Sequence, residues 1–368
     1  MNRVRYSYLP QQFSNPNNIF KKIKEVIEQG DFTLGKAVEE FERKFSNLLG
    51  VKNSIGVASG TDALKISLRA LNIGYGDEVI TAANTFVSTV GAINEVGAKP
   101  VLVDCDDSYC IDVDLIDASI TERTKALIPV HLTGSMPDMN RISEISKIYG
   151  LRIIEDACQS VLASFDEEKA GTWGNAAAFS FHPLKNLNVW GDGGMIVTND
   201  DTVANRMRLL RNNGIRNRDE VEVLGYNSRL DSIQAVVANS LLPQTVSDTE
   251  KRIANASYYD EALKIIPQVK IPDRPKTLKQ VFHIYQIRVA NRDQCVKYCL
   301  DRGVEVKIHY PIPLYRQKAL EYLGYKKGQF PVTERHSKEI ISLPVDQYIT
   351  QTEQDIVIET IKEFYAIN

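Results

Sequence analysis

Lys185 lies in the run Phe179-Ser180-Phe181-His182-Pro183-Leu184-Lys185-Asn186, a loop-like segment behind a strand-length apolar stretch. Stripping water from a lysine amine disfavours its charged form and lowers its pKa, which is what Schiff-base chemistry with a carbonyl needs. By itself such a lysine reads more plainly as a solvated surface group, and Ser180 as a hydroxyl able to bond a nearby anion. A second segment, Ile153-Ile154-Glu155-Asp156-Ala157-Cys158-Gln159, ends an apolar strand in an acid. A carboxylate at that depth is costly unless a cation pairs with it, and a protonated heterocyclic nitrogen would serve; an Asp capping the next helix is the alternative. The third segment, Ser59-Gly60-Thr61, stands between a strand and a helix. Gly60 lets the backbone approach a ligand, and free N–H groups at a helix start attract an anion such as phosphate. A helix cap by Ser59 or Thr61 is the plainer reading of that triplet. Together the three supply what pyridoxal 5′-phosphate (PLP) requires: an anchor for its phosphate, an acid for its ring nitrogen and an amine for its aldehyde.

The elements that must position these residues alternate in kind. Apolar runs of strand length occur at 54–59, 78–81, 99–104, 125–130 and 151–156, separated by helix-compatible stretches such as 61–71, 86–96 and MNRISEISKIYG. That alternation predicts a mostly parallel sheet with helices on both faces, in which ligands collect beyond the carboxyl ends of the strands. AAAFSF (176–181) and GMIVTN (194–199) are too close for a helical crossover and predict an antiparallel element at one edge of the sheet. Residues 230–265 read as long helix broken by Pro243, and YQIRVA (285–290) and EVKIHY (305–310) read as strands of a smaller α+β domain. The expected division is 1–240 for a large, cofactor-binding domain with N-terminal helices and 241–368 for a small C-terminal one.

Composition narrows the class. The chain has 368 residues, 43% hydrophobic and 25% charged, with a net charge of −3; disorder and collagen-like structure are excluded, and two domains are expected. No basic stripe marks a nucleic-acid binder, and no apolar run is long enough for a membrane span. The N-terminus lacks the apolar core of a signal peptide, so the expected location is the cytoplasm. Five cysteines without a CxxC pair read as reduced core residues, and the histidines show no metal-ligand spacing. There is no GxxxxGK[ST], and no GxGxxG at a strand–helix turn, which excludes an ATPase-type phosphate loop and weakens a dinucleotide-binding reading.

The ordered set FTLGKAVEEFERKFSNLLGV (32–51), SGTDAL (59–64), GDEVITAANTFVST (76–89), ITERTKALIPVHLTG (120–134), LRIIEDACQS (151–160), FSFHPLKNLNVWGDGG (179–194) and GYNSRLD (225–231) resembles the DegT/StrS-type sugar-nucleotide aminotransferases nearly end to end. The resemblance implies a three-layer α/β fold of the aspartate aminotransferase type (PLP fold type I), with a mostly parallel sheet. By motif, Lys185 matches the lysine that holds the cofactor and moves the proton, Asp156 the acid on the pyridine nitrogen, and Gln159 the partner of the ring hydroxyl. Gly60, Thr61 and Ser180 match the phosphate cradle, and Phe86 the ring stacked on the cofactor. Asn227 matches an asparagine that reaches the phosphate from the neighbouring subunit, which implies a homodimer with shared sites. His309 and Tyr310 match a segment facing the sugar nucleotide, whereas His131 and His182 read as structural. Relatives with His for the lysine are sugar dehydratases; Lys185 favours transamination, with L-glutamate as donor, 2-oxoglutarate as product and pyridoxamine phosphate between the half-reactions. GDGG with KNL before it resembles enzymes acting at C3 of the sugar, where those acting at C4 more often show GEGG. The expected substrate is thus a dTDP-linked 3-keto-6-deoxyhexose. Amination at C4, a keto-cyclitol substrate, and a non-catalytic regulatory protein of the same fold are the alternatives.

Overall fold

The structure, a computed structural model, describes residues 4–367. Its centre is a seven-stranded sheet of β1 (Asn53–Val57), β2 (Glu78–Ala82), β3 (Lys99–Val103), β4 (Thr124–Ile128), β5 (Arg152–Asp156), β6 (Ala176–Ser180) and β7 (Gly194–Thr198). Their spatial order is β1-β7-β6-β5-β4-β2-β3. Pairs from β6 through β3 are parallel, and β7 is antiparallel to both its neighbours. The alternating apolar runs thus become an α/β sheet buried on both faces, and β2 and β7 are buried at every position. The antiparallel strand does not lie at the edge, as expected, but one place in. The short link from β6 returns β7 alongside it, and β1 then takes the edge, with Asn53 opposite Thr198 and Val57 opposite Gly194.

Helices cover both faces: α1 (Asn17–Gln29), α2 (Lys36–Leu49), α3 (Gly60–Ala70), α4 (Val87–Glu95), α5 (Met139–Tyr149) and α6 (Asp201–Arg211). On one face Phe45 meets Phe179, and Phe41 meets Phe181, each edge-on with centroids 5.2 Å apart. Because side chains alternate along a strand, burying Phe179 and Phe181 on this face sends the intervening Ser180 to the other. On that other face Leu64, Ile66 and Leu68 of α3 pack over Ile55, Ile154 and Ala178. Ser59 caps α3 by accepting the N–H of Asp62 at 3.1 Å.

Pro243 interrupts the long helical stretch as expected. It separates α7 (Ser232–Leu241) from α8 (Thr245–Leu263) by a single 3-10 turn, since proline has no N–H for the helical ladder. Beyond it, β8 (Val269–Lys270), β9 (Tyr285–Val289) and β10 (Ile340–Leu343) form an antiparallel sheet in the order β8-β9-β10. The sheet shares a core with Tyr259, Leu263, Val357 and Ile361, and with Val4 and Tyr8 from the other end of the chain. EVKIHY does not form the expected strand. Only Lys307 bridges to Ser342. Beyond it side-chain bonds hold the segment instead: Gln286 Nε2 donates to the His309 carbonyl at 2.8 Å, and the His309 ring Nδ1 meets Ser342 Oγ at 2.9 Å. Among the described residues no helix is long and apolar enough to cross a membrane.

Candidate active site

A cavity of about 500 Å³ opens beyond the carboxyl ends of the strands, and Gly60, Thr61, Phe86, Asp156, Gln159, Ser180, Lys185, His309 and Tyr310 all line it. Asp156 is the last residue of β5 and Ser180 the last of β6, so two neighbouring parallel strands deliver an acid and a hydroxyl to one end of the sheet. Gly60 begins α3, whose first amides no turn of the helix can satisfy. Close packing requires glycine there: a Cβ would stand 2.6 Å from Cys158 Sγ and 2.8 Å from Ser180 Cβ. Gly194 answers it across the turn, where a Cβ would lie 2.3 Å from the Ser59 carbonyl oxygen.

Asp156 is 6% exposed. Its Oδ2 accepts the Thr89 hydroxyl at 2.7 Å, and its Oδ1 the Cys158 N–H at 3.3 Å. Gln159 spends its Oε1 on the Thr133 N–H at 2.7 Å, which orients its amide nitrogen as the remaining donor. Lys185 keeps part of its surface open to the cavity. Desolvation by the protein around its amine lowers its pKa, and the Cys158 thiol and Asp156 oppose the shift. Phe86 is 47% exposed, and its ring lies 5.7 Å from that of Tyr310 at 35°. Burial pushes the Tyr310 phenol up to about 12 and the His309 imidazole down to about 4, so both are neutral near pH 7.

Asn227 does not join these residues. It is exposed, absent from the cavity wall, and bridges Asn212. Among the residues that the sequence did not single out and that do join them are an arginine and a histidine. Arg252, in the middle of α8, is buried in the far wall, with Nε donating to Gln347 Oε1 at 2.8 Å and one terminal nitrogen to the Phe282 carbonyl at 3.3 Å. His283 lies beside it, and desolvation, reinforced by Lys185 and Arg252, holds its pKa well below the usual value. A mid-helix arginine and a histidine before a strand carry no local signal; only the packing of the C-terminal segment onto the sheet brings them to Lys185. His131, by contrast, is buried under the sheet end and paired with Glu155 at 2.9 Å.

A helix start that attracts anions, an acid at the cavity floor, an amine with lowered pKa and a partly exposed aromatic face are the complement of a phosphorylated pyridine aldehyde. The sequence pattern of the DegT/DnrJ/EryC1/StrS aminotransferase family matches residues 14–362.

The chain belongs to this family.

The aminotransferases of this family depend on PLP, and the chain, which keeps Lys185, is a transferase of amino groups with PLP as cofactor. Among its relatives is a pleiotropic regulatory protein of Geobacillus stearothermophilus, 41% identical over 94% of each chain. Another is the dTDP-3-amino-3,6-dideoxy-alpha-D-galactopyranose transaminase of Aneurinibacillus thermoaerophilus, 40% identical over 92% of this chain and 93% of its own. Among solved structures, S. venezuelae DesV in complex with a ketimine intermediate superposes with a TM-score of 0.97, at 34% identity and 99% coverage of both chains. The expected aspartate aminotransferase-like fold is thereby established.

Proposed function

We propose that this aminotransferase moves an amino group from L-glutamate to C3 of a dTDP-linked 3-keto-6-deoxyhexose, releasing 2-oxoglutarate. The observation that carries the reading is one cavity holding Lys185 and Asp156 beside the N-terminus of α3. Similarity to a transaminase whose product is a dTDP-3-amino-3,6-dideoxy sugar supports the substrate class and the carbon, as does Asp192 in the GDGG turn at the cavity wall. When bound, PLP supplies an electrophilic carbon and an electron-withdrawing ring. Gly60, Thr61 and Ser180 would hold its phosphate, Phe86 its face, Gln159 its ring hydroxyl and Asp156 its ring nitrogen. Lys185 Nζ would hold and move the proton that leaves the donor's α-carbon, general acid–base help worth about 10²–10⁴-fold. The lowered pKa favours the neutral amine this requires.

His309 and Tyr310 face the sugar nucleotide in this reading, with both groups uncharged and able to bond its hydroxyls. A division at residue 240 gives the cavity floor to the large domain and the wall with Arg252, His309 and Tyr310 to the small one. Arg252 brings a guanidinium to that wall already paired with Asp346 Oδ2 at 3.4 Å, so the wall carries both charges. The protein works as a homodimer in the cytoplasm, and Asn227 completes the partner's site.

Running the reaction backwards tests the proposal. The holoenzyme is offered 3-amino and 4-amino sugar nucleotides with 2-oxoglutarate, and glutamate is measured. Exclusive use of the 4-amino compound would reject the C3 assignment, and use of an aminocyclitol alone would reject the nucleotide. A purified holoenzyme that consumes no glutamate with any sugar nucleotide would reject the proposal as a whole.

A further inference from the structure

Asp156 does not stand by itself at the cavity floor. Thr89 is fully buried in the first turn of α4, and Thr85, just before that helix, is 2% exposed. Their hydroxyls lie 2.7 Å apart, and Thr89 Oγ1 is 2.7 Å from Asp156 Oδ2. An ionised carboxylate only accepts, so the single proton of Thr89 goes to Asp156 and its lone pair receives the proton of Thr85. The chain is thus polarised from Thr85 through Thr89 to Asp156. Neither threonine lines the cavity that holds Asp156, whereas Phe86, between them in sequence, does. One turn of backbone, Thr85–Thr89, therefore offers a ring to the cavity and, beneath it, one hydroxyl to the carboxylate with a second hydroxyl behind the first.

We propose that Thr89, backed by Thr85, is a positioning residue of the transamination reaction: it fixes the rotamer and the charge of Asp156, and so the proton on the cofactor's ring nitrogen. The proposal rests on the assignment of Asp156 to that nitrogen. Hydrogen bonds to the charged form of an acid stabilise that form, and in a low-dielectric site a polarised chain does so more strongly than one donor. β-Branched threonine has few side-chain rotamers, which keeps both hydroxyls in register.

The test is spectroscopic. A proton on the ring nitrogen repels a second proton on the nitrogen that joins Lys185 to the cofactor, so losing the first raises the pH at which the visible band of the resting holoenzyme titrates. Thr89→Val keeps the shape and removes the hydroxyl; its midpoint should rise by about one pH unit. Thr89→Ser should titrate with the wild type, and Asp156→Asn should shift furthest. The double variant Thr85→Val/Thr89→Val leaves no orphaned hydroxyl behind, so its midpoint should move with that of Thr89→Val and not return toward the wild type. If Asp156→Asn shifts and neither valine variant does, the threonines only pack and the proposal fails. If Asp156→Asn itself does not shift, the assignment of Asp156 fails, and the proposal with it.

Discussion

The Ser228 hydroxyl donates to Asp62 Oδ2 at 2.7 Å, binding the segment around Asn227 to the first turn of α3. Ser228 also accepts the Ala58 N–H at 3.3 Å, and its own N–H donates to the Arg211 carbonyl at 2.9 Å. With Ser228 buried and pinned from three sides, its neighbour Asn227 is turned outward, away from the cavity of its own chain. The helix start that would hold a phosphate and the asparagine assigned to the partner's phosphate are thus mechanically joined.

Subunit mixing checks the shared site. Lys185→Ala is combined with an Asn227→Asp chain, each inactive by itself, under conditions that let subunits exchange. If sites are shared, every mixed dimer holds one site with both defects and one with neither. Random pairing then restores roughly a quarter of all sites in a two-fold symmetric dimer. With exchange shown by mass spectrometry and no recovery of activity, Asn227 would return to an ordinary surface role.

Lys185 should carry the cofactor. Borohydride reduction of the holoenzyme followed by peptide mapping is expected to label the Lys185 peptide. Lys185→Ala should still bind PLP and lose about 10²–10⁴-fold or more of its turnover. Label on another lysine would overturn the assignment.

Gly60→Ala should weaken the cofactor site without touching any reacting group. The added Cβ meets Cys158 Sγ and Ser180 Cβ at distances real side chains do not tolerate, and overpacking of this kind costs about 1–3 kcal/mol. We expect a PLP dissociation constant raised about tenfold or more in an absorbance titration. An unchanged constant would mean that the α3 start does not contact the phosphate.

Acid stability should depend on His336. This buried imidazole sits 3.6 Å from Cys105 Sγ and 3.2 Å from Asp107, and desolvation pulls its pKa down to about 4. The unfolded chain binds a proton near the unperturbed value of 6.5, where the folded one does not. His336 therefore costs no stability above that pH, and stability falls as pH drops from there to about 4. Asp107, an exposed carboxylate held below its usual range by His336, Arg288 and Arg335 against some desolvation, adds a loss at still lower pH. Denaturant midpoints measured from pH 7 to 4 should fall less steeply for His336→Gln than for the wild type. Parallel profiles would show that His336 is not the titrating group.

The residues for chemistry were legible in the sequence where local rules place them. Strand alternation puts Asp156 and Ser180 at strand ends, and the glycine of SGT puts a bare helix start beside them. The ordered motifs single out Lys185, Phe86 and Gln159, all of which the fold gathers in one cavity. Packing between distant segments decided the rest. Thr89 bonds an acid 67 positions away, and Arg252 and His283 reach the cavity only because the C-terminal segment folds against the sheet. The edge position of β1 depends on its pairing with β7, from another part of the chain. For 305–310, apolar alternation predicts a strand, yet bonds from Gln286 and Ser342 hold His309 at the cavity wall. Periodicity and turn chemistry are properties of a few consecutive residues, so a sequence displays them directly. A hydroxyl chain, a desolvated arginine or the order of strands exists only between segments, and the free energy of burying them together selects it.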